Sequence, residues 1–150
     1  MKIFKSQIRD IKEAGGLTVV EPVNLYECQF GQNCFVGPFV EVQKNVIIGD
    51  NTRIQSHTFI CELVEIGSRC FIGHGVMFIN DLFRNLKPSG DKKLWEKTHI
   101  SDDVSIGSNA TILPVYICEH VVIGAGSVVT KDIRDAGIYV GNPAIKIKDI

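Results

Sequence analysis

The chain reads QFGQNCFVGPFVEVQKNVIIGDNTRIQSHTFICELVEIGSRCFIGHGVMFI from Gln29 to Ile79. An apolar residue recurs here at every sixth position without exception, and a small or β-branched residue follows four positions after each one as far as Val76. Glycine stands directly after five of the nine apolar residues. The nine are Phe30, Val36, Val42, Ile48, Ile54, Ile60, Ile66, Ile72 and Phe78. No other part of the chain is as regular, so this stretch decides the fold.

A period of six fits neither of the common secondary structures. A helix needs apolar spacings of three and four residues, and an ordinary strand alternates apolar and polar residues. Short strands of about one hexapeptide each, turned the same way at small-residue corners, produce such a period and build a β-solenoid. Three strands make one coil, so residues 18 positions apart stack on one side at a spacing of about 4.8 Å. Fifteen inward positions at three per coil predict about five coils.

The repeat resembles that of the hexapeptide-repeat acyltransferases, and the resemblance covers about residues 23–146. It implies an all-β fold, the left-handed parallel β-helix. The handedness is implied by the resemblance, because the spacing alone does not give it. At this length we expect a single domain over residues 1–150.

Three segments depart from the period. Residues 1–22 lack it, and we expect them to form an edge strand and a short lead-in that cover the open end of the solenoid. Residues 80–97 lack it too, yet the period resumes in step at Ile100. This insertion is therefore expected to project from one edge, as a candidate substrate lid. The chain leaves the period again at residues 140–148, where Gly-Asn-Pro predicts a turn.

Charge and hydropathy exclude two classes of partner. The formal net charge is -1 and the pI is near 6.4, with no run of basic residues, so binding to nucleic acid is not expected. No apolar run approaches the roughly 18 residues of a membrane span. The first residues are too polar for a signal peptide. We therefore expect no membrane association and a cytoplasmic location.

The five cysteines are an odd number, which argues against a closed disulfide framework. Cys34 and Cys70 share a side but stand two coils apart, roughly 9–10 Å by the strand spacing, beyond the about 7 Å Cα limit for a disulfide. We expect reduced thiols that act as small apolar residues. No two cysteines have the short gap of a zinc knuckle, so no metal site is expected.

The C-terminal coils are the most specific part of the resemblance. Residues 106–114, 122–132 and 141–144 are similar to the coils that, in the family, bind coenzyme A between two subunits of a trimer. The resemblance implies acetyl-CoA as co-substrate and a homotrimer with active sites between subunits. It implies main-chain contacts to the pantetheine arm near Asn109, Ala110 and Ala125, and contacts to the adenine and phosphate end from Lys131, Asn142, Pro143 and Lys146.

Two histidines are candidates for proton transfer. Acyl transfer to an amine or hydroxyl needs a base with a pKa near about 7 within hydrogen-bond reach. Because 57 plus 18 is 75, His57 and His74 fall at almost the same corner on neighbouring coils. Asn80 opens the insertion, and we expect the three residues to group at one edge of a cleft. His99 and His120 have no such neighbours and are expected to have no catalytic role.

The run from Phe71 to Arg84 narrows the resemblance. It is similar to the subgroup that N-acetylates amino groups on nucleotide-linked sugars, in which a Phe-x-Asn motif opens the acceptor loop and the asparagine lies beside the reacting amine. The resemblance gives that role to Asn80, with Asp81 as a matching substrate residue. Arg84 and Lys87 are candidates to bind the pyrophosphate.

The resemblance implies an acetyl-CoA-dependent N-acetyltransferase acting on the 3-amino group of a dTDP- or UDP-linked amino deoxysugar, in the synthesis of a surface polysaccharide such as lipopolysaccharide O-antigen. The amine either loses its proton to His74 or its surroundings, or reacts as a neutral amine without a strong base. Two alternatives remain open. One is O-acetylation of a sugar or another small acceptor. The other is a non-catalytic or carbonic-anhydrase-like β-helix, the latter needing three convergent histidines on zinc.

Overall fold

The computed structural model describes residues 1–150 as a three-sided solenoid of parallel strands. The first face contains β1 (Ile8–Arg9), β4 (Asn24–Tyr26), β7 (Glu41–Val42), β10 (Phe59–Ile60), β13 (Met77–Phe78), β16 (Thr111–Ile112) and β19 (Val128–Val129). The second face contains β2 (Lys12–Glu13), β5 (Gln29–Phe30), β8 (Ile47–Ile48), β11 (Val64–Ile66), β14 (Thr98–Ile100) and β17 (Tyr116–Ile117). The third face contains β3 (Thr18–Val19), β6 (Phe35–Val36), β9 (Arg53–Ile54), β12 (Phe71–Ile72), β15 (Ser105–Ile106), β18 (Val121–Ile123), β20 (Gly137–Gly141) and β21 (Ala144–Lys148).

The period of six corresponds to these strands, and the predicted inward residues are confirmed. Ile48 lies opposite Ile66, and Ile54 lies opposite Ile72, each pair 18 positions apart. All nine apolar residues of the repeat are at most 3% exposed and belong to one cluster of 30 buried residues along the solenoid axis. Burial of each large side chain contributes roughly 1.5–3 kcal/mol, so this column stabilises strands that are themselves very short.

Four of the eight small residues at these later positions, two threonines and two cysteines, donate hydrogen bonds to main-chain carbonyls at the corners. Thr52 Oγ1 donates to the carbonyl of Gly67 at 2.8 Å. The Cys34 thiol donates to the carbonyl of Gly49 at 3.2 Å, and Cys70 makes the equivalent bond two coils later, to the carbonyl of Ser101 at 3.2 Å. A buried carbonyl without a partner would cost about 1–3 kcal/mol, so threonine and cysteine serve here as small donors. All five cysteines are free thiols, as predicted.

The N-terminal segment forms a complete first coil. β1, β2 and β3 pair in parallel with β4, β5 and β6, and Ile8 lies opposite Leu25, 17 positions later. The faces contain seven, six and eight strands, so the solenoid has about seven turns and the predicted count of about five is wrong. The first coil pairs through its main chain while most of its side chains are exposed. It covers the end of the solenoid without needing apolar residues at a period of six.

The insertion leaves the solenoid unbroken, as predicted. After it, β14 pairs with β11 in register, and Ile100 lies opposite Ile66. The base of the insertion is closed by a hydrogen bond from the N–H of Glu96 to the carbonyl of Asn80 at 2.9 Å. Residues 80–97 therefore project from one corner as a closed loop.

The C-terminal segment is a hairpin on the third face. β20 pairs in parallel with β18, and β21 pairs antiparallel with β20 through a turn at Asn142 and Pro143, as Gly-Asn-Pro predicts. The one helix of the chain is a short 3₁₀ helix in the insertion, Lys92–Leu94. No helix has the length and hydropathy needed to cross a membrane.

Candidate active site

Two corners of the solenoid carry the candidate residues. The histidine corner, where the third face turns into the first, contains residues 55–58, 73–76, 107–110 and 124–127. The loop corner, where the first face turns into the second, contains residues 61–63, the insertion at 80–97, and residues 130–132. Both corners border the first face, and β13 runs from one to the other.

His74 is held at the histidine corner by the coils on either side of it. Its Nδ1 atom lies 2.8 Å from Ser56 Oγ on the preceding coil. Its main-chain N–H donates to Ser108 Oγ on the following coil at 3.2 Å, and its carbonyl accepts from the N–H of Asn109 at 2.8 Å. The side chain is exposed and its Nε2 atom has no partner in the chain. With Nδ1 engaged, one ring nitrogen remains available for proton transfer.

His57 lies on the same corner one coil earlier, as the spacing predicts. Its φ of 65° is left-handed, and its ring packs against Phe39 with the ring centroids 4.8 Å apart. Both side chains are exposed. His57 thus contacts an apolar ring and has no hydrogen-bonding partner that fixes a ring nitrogen, so His74 is the better-placed base.

Asn80 lies at the opposite end of β13 from the histidines. Its Nδ2 atom donates to the main-chain carbonyl of Glu62 on the preceding coil at 3.1 Å. Asn80 follows His74 by six positions, which at about 3.3 Å per extended residue span up to about 20 Å. The predicted grouping of His57, His74 and Asn80 at one edge is therefore not found within a single chain, because β13 separates the two corners.

The three residues predicted to bind substrate line one pocket of about 210 Å³ in the insertion. Asp81 uses both carboxylate oxygens to accept main-chain N–H groups, from Phe83 at 3.0 Å and from Ser89 at 2.6 Å. Asp81 is predicted to contact the substrate, but both of its carboxylate oxygens already accept hydrogen bonds that order the loop.

The two cations of this pocket differ in their partners. Arg84 Nε donates to Glu96 Oε1 at 2.8 Å, and its Nη2 atom contacts the same oxygen. Lys87 is exposed and makes no ion pair in the chain. Lys87 is therefore free to bind an anion, whereas Arg84 would share its charge with Glu96.

Of the residues predicted to bind the pantetheine arm, Ala125 fits best. The side chain of Ala125 is exposed and its N–H donates to no group in the chain. Asn109 is exposed too, but its N–H is bonded to His74. Ala110 is fully buried, and its N–H donates to the carbonyl of Gly107 at 3.3 Å, so it offers no free donor and that expectation is corrected.

The residues predicted near the adenine and phosphates lie in three places. Asn142 and Pro143 form the exposed turn of the hairpin, beside the histidine corner toward which β20 runs. Lys146 lies in β21, and its hydrogen bond to Asp149 at 2.6 Å raises its pKa above the usual lysine range. Lys131 lies at the loop corner, across the first face from the others.

Sequence reasoning missed three residues that hold this arrangement. Ser56 and Glu62 each precede their partners, His74 and Asn80, by 18 positions, so the coil length could have identified both. The contact of Lys92 with Glu62 at 2.7 Å had no such signal, because the insertion has no period.

His99 lies apart from His57, His74 and Asn80 but has neighbours of its own. His99 lies on the second face with its ring stacked on Tyr116, the centroids 5.5 Å apart, and its Nδ1 atom is 3.6 Å from Glu65 Oε2. These side chains line a shallow groove away from both candidate corners. The chain contains no group of three or more His, Cys, Asp or Glu side chains arranged to hold a metal ion.

The buried thiols are not nucleophiles at neutral pH. Burial raises the pKa of Cys28 to about 11 and that of Cys61 to about 12. A thiol reacts as its thiolate, so both groups are inert at pH values well below these.

Two family models match the repeat. "Bacterial transferase hexapeptide (six repeats)" matches residues 27–62, and "Hexapeptide repeat of succinyl-transferase" matches residues 97–131. The two matches flank the insertion.

Among curated proteins, the chain is 33% identical over 139 residues to the bifunctional protein GlmU of Clostridium perfringens. The match covers 92% of this chain and 27% of that relative, so the chain spans little more than a quarter of the relative's length. Among solved structures, a variant of AntD, an N-acyltransferase from Bacillus cereus in complex with dTDP and coenzyme A, is similar with a TM-score of 0.80 and 25% identity, covering 91% of this chain and 83% of that one. A maltose O-acetyltransferase from Clostridium difficile 630 is similar with a TM-score of 0.63 and 26% identity, covering 93% and 70%.

The sequence period, the three-sided solenoid and both family matches agree with one another. The similar solved structures are acyltransferases of the same architecture. The chain is therefore a hexapeptide-repeat protein with the left-handed parallel β-helix fold.

Proposed function

We propose that the protein is an acetyl-CoA-dependent N-acetyltransferase that acts on the 3-amino group of a dTDP- or UDP-linked amino deoxysugar used in surface-polysaccharide synthesis. The observation that carries the proposal is the loop corner, where Asn80 opens an insertion whose pocket is lined by Arg84 and Lys87. The similar AntD structure, which contains dTDP and coenzyme A, supports the pairing of a nucleotide with coenzyme A on this scaffold.

Acetyl-CoA binds along the histidine corner in this proposal. Successive coils place Asn109, Ala125 and the turn at Asn142 one after another along it. With about 4.8 Å between coils, this column accommodates an extended ligand. The free N–H of Ala125 can donate to the pantetheine arm. Lys146 lies on the adjoining edge strand, where its ammonium is paired with Asp149, and it would have to exchange Asp149 for the phosphate end of the ligand.

The sugar nucleotide binds at the loop corner. Lys87 has no partner to compete with a diphosphate, and Arg84 can exchange Glu96 for it. A guanidinium matches two phosphate oxygens at once, whereas lysine acts as a point charge. Asn80, fixed by the carbonyl of Glu62, would then orient the amine through its side-chain oxygen.

The active site is completed by two copies of the chain. His74 and Asn80 lie at opposite ends of β13, on two different corners of the solenoid. A cyclic assembly that sets the histidine corner of one subunit against the loop corner of the next brings them together. A homotrimer with a site at each interface satisfies this requirement.

In the proposed reaction, the nitrogen of the sugar amine attacks the thioester carbonyl carbon. The new C–N bond forms as the C–S bond breaks, and the coenzyme A thiolate leaves. His74 Nε2 takes the proton that the nitrogen loses and returns it to the thiolate. The Ser56 hydroxyl holds Nδ1 throughout, and a main-chain N–H beside the thioester would stabilise the carbonyl oxygen as it gains charge.

The experiment is to measure thiol release from acetyl-CoA with an Ellman-type reagent, using dTDP- and UDP-linked amino sugars and their hydroxyl counterparts as acceptors. Four of the five protein thiols are buried, so the protein's own background is small. We expect release with a 3-amino sugar and none with its hydroxyl counterpart. If no amino sugar causes thiol release, while calorimetry still detects acetyl-CoA binding, the proposed acceptor is contradicted.

The second candidate is O-acetylation of a sugar, which the similarity to maltose O-acetyltransferase favours. His74 with a fixed Nδ1 atom could deprotonate a hydroxyl as well as an ammonium. Thiol release with the hydroxyl sugars, and none with the amino sugars, would support O-acetylation over N-acetylation.

A further inference from the structure

We propose that Glu62 and Lys92 are a positioning pair that fixes the insertion as a rigid acceptor platform, so that it does not act as a mobile lid. This inference rests on the proposed function. We call the contact of Glu62, Lys92 and Trp95 the clasp.

The first part of the clasp is an ion pair with one nearly buried member. Lys92 Nζ lies 2.7 Å from Glu62 Oε1. The Glu62 side chain is only 12% exposed, and Lys92 is its one charged partner. A carboxylate with so little access to water is strongly destabilised when its partner is removed. The pair therefore ties the middle of the insertion to the solenoid.

Glu62 also holds the start of the insertion. Its main-chain carbonyl accepts the hydrogen bond from Asn80 Nδ2 at 3.1 Å. One residue of the preceding coil thus contacts both the proposed acceptor-orienting amide and a lysine 12 positions later in the insertion. Movement of Lys92 away from Glu62 would free the loop pocket to shift relative to Asn80.

Trp95 completes the clasp. Lys92 Nζ lies 4.9 Å from the centroid of the indole ring, within the range of a cation–π interaction. The Trp95 Nε1 atom is buried without a hydrogen-bond partner. The indole is therefore held by packing and by Lys92, with no hydrogen bond to keep it in place if Lys92 is lost.

Trp95 also makes the clasp measurable, because it is the one tryptophan of the chain. Its emission maximum and its quenching by acrylamide report how the insertion packs, whether or not an acceptor is known. Lys93 provides the matched control. It follows Lys92 in the same 3₁₀ helix, and its side chain makes no hydrogen bond or ion pair.

The experiment compares Lys92→Met with Lys93→Met in the full chain. For Lys92→Met we expect the KM for the amino-sugar acceptor to rise about tenfold, a loss of about 1.4 kcal/mol. We expect kcat and the KM for acetyl-CoA to stay at the wild-type values, and Trp95 to become more accessible to acrylamide. Lys93→Met should match the wild type in all four, and Lys92→Arg should restore most of the acceptor affinity.

Wild-type acceptor KM and wild-type quenching in Lys92→Met would overturn the positioning pair. A general loss of stability without a selective rise in the acceptor KM would overturn it too, since that is the signature of a purely structural contact. If the wild type releases no thiol with any acceptor, the proposed function is overturned instead. The quenching comparison would then still decide whether the clasp holds the insertion.

Discussion

The histidine corner and the loop corner lie at the two ends of β13 and are built differently. At the histidine corner each turn bonds to the turn of the preceding coil through the main chain: the N–H of Gly75 donates to the carbonyl of Ser56 at 2.9 Å, and the N–H of Asn109 donates to that of His74 at 2.8 Å. At the loop corner the equivalent contacts come from side chains of an insertion, Lys92 with Glu62 and Arg84 with Glu96. One corner is fixed by repetition of the main chain, and the other by individual ion pairs.

This difference suits the two proposed ligands. At the histidine corner the backbone repeats from coil to coil and presents a regular surface. Such a surface suits acetyl-CoA, which stays the same whatever the acceptor is. An insertion without a period can vary in length and charge while the solenoid stays intact, as acceptor recognition requires. On this account, changes at the histidine corner should alter turnover or acetyl-CoA binding, and changes at the loop corner should alter acceptor binding.

The largest effect is expected from His74→Ala. A positioned general base contributes at least about 100-fold, so kcat should fall by about that factor with little change in either KM. His120→Ala is the control, because His120 is an exposed histidine on a different corner. Turnover equal to the wild type at every pH between about 6 and 9 would show that the amine reacts without this base.

The second effect concerns the pH dependence of stability at the loop corner. Burial raises the pKa of Cys61 from 9.0 to about 12. Because the folded state keeps the proton longer, the stability from this thiol is fully present below pH 9 and is lost as the pH rises toward 12. The free energy of unfolding should fall by about 1.4 kcal/mol per pH unit from this group, as an upper bound.

Urea unfolding of the wild type and of Cys61→Ala at several pH values checks this slope. The variant should lose stability less steeply above pH 9, whatever offset the smaller side chain causes at neutral pH. Parallel pH profiles for the two proteins would contradict the burial of this thiol as the cause.

The smallest effect is expected from Lys87→Met. An exposed ionic contact is worth about 0–1 kcal/mol, so the acceptor KM should rise by up to about fivefold and the difference should shrink in high salt. The KM for acetyl-CoA should not change. Lys97→Met, at the end of the same insertion but outside the pocket, should match the wild type. An equal effect from both lysines would show that general charge, and no specific site, attracts the nucleotide.

The sequence predicted the regular part of the molecule well. Repetition every six residues identified the inward column and its register, because buried side chains must recur where the faces recur. The same arithmetic predicted that His57 and His74 share a corner. It did not reveal the first coil, whose strands pair through the main chain while their side chains are mostly exposed.

The loop corner could be predicted only in part. Asn80 follows His74 closely in sequence, yet β13 carries it to another corner, so proximity along the chain misled. The contacts of Asp81 with Ser89 and of Lys92 with Glu62 depend on how an aperiodic segment folds back. No spacing in the sequence encodes such contacts.

The most direct test of the two-chain active site is complementation between two defective variants. Ala125→Tyr should block acetyl-CoA at the histidine corner, and Asn80→Ala should impair the acceptor at the loop corner. The two are co-expressed with different tags, and trimers that carry both tags are isolated and assayed at low acceptor concentration.

Every mixed cyclic trimer contains one interface at which the histidine corner of an Asn80→Ala chain faces the loop corner of an Ala125→Tyr chain. That interface has no altered residue, so we predict about one third of the wild-type activity per trimer, well above either variant alone. Mixed trimers no more active than the two variants measured separately would contradict an active site shared between subunits.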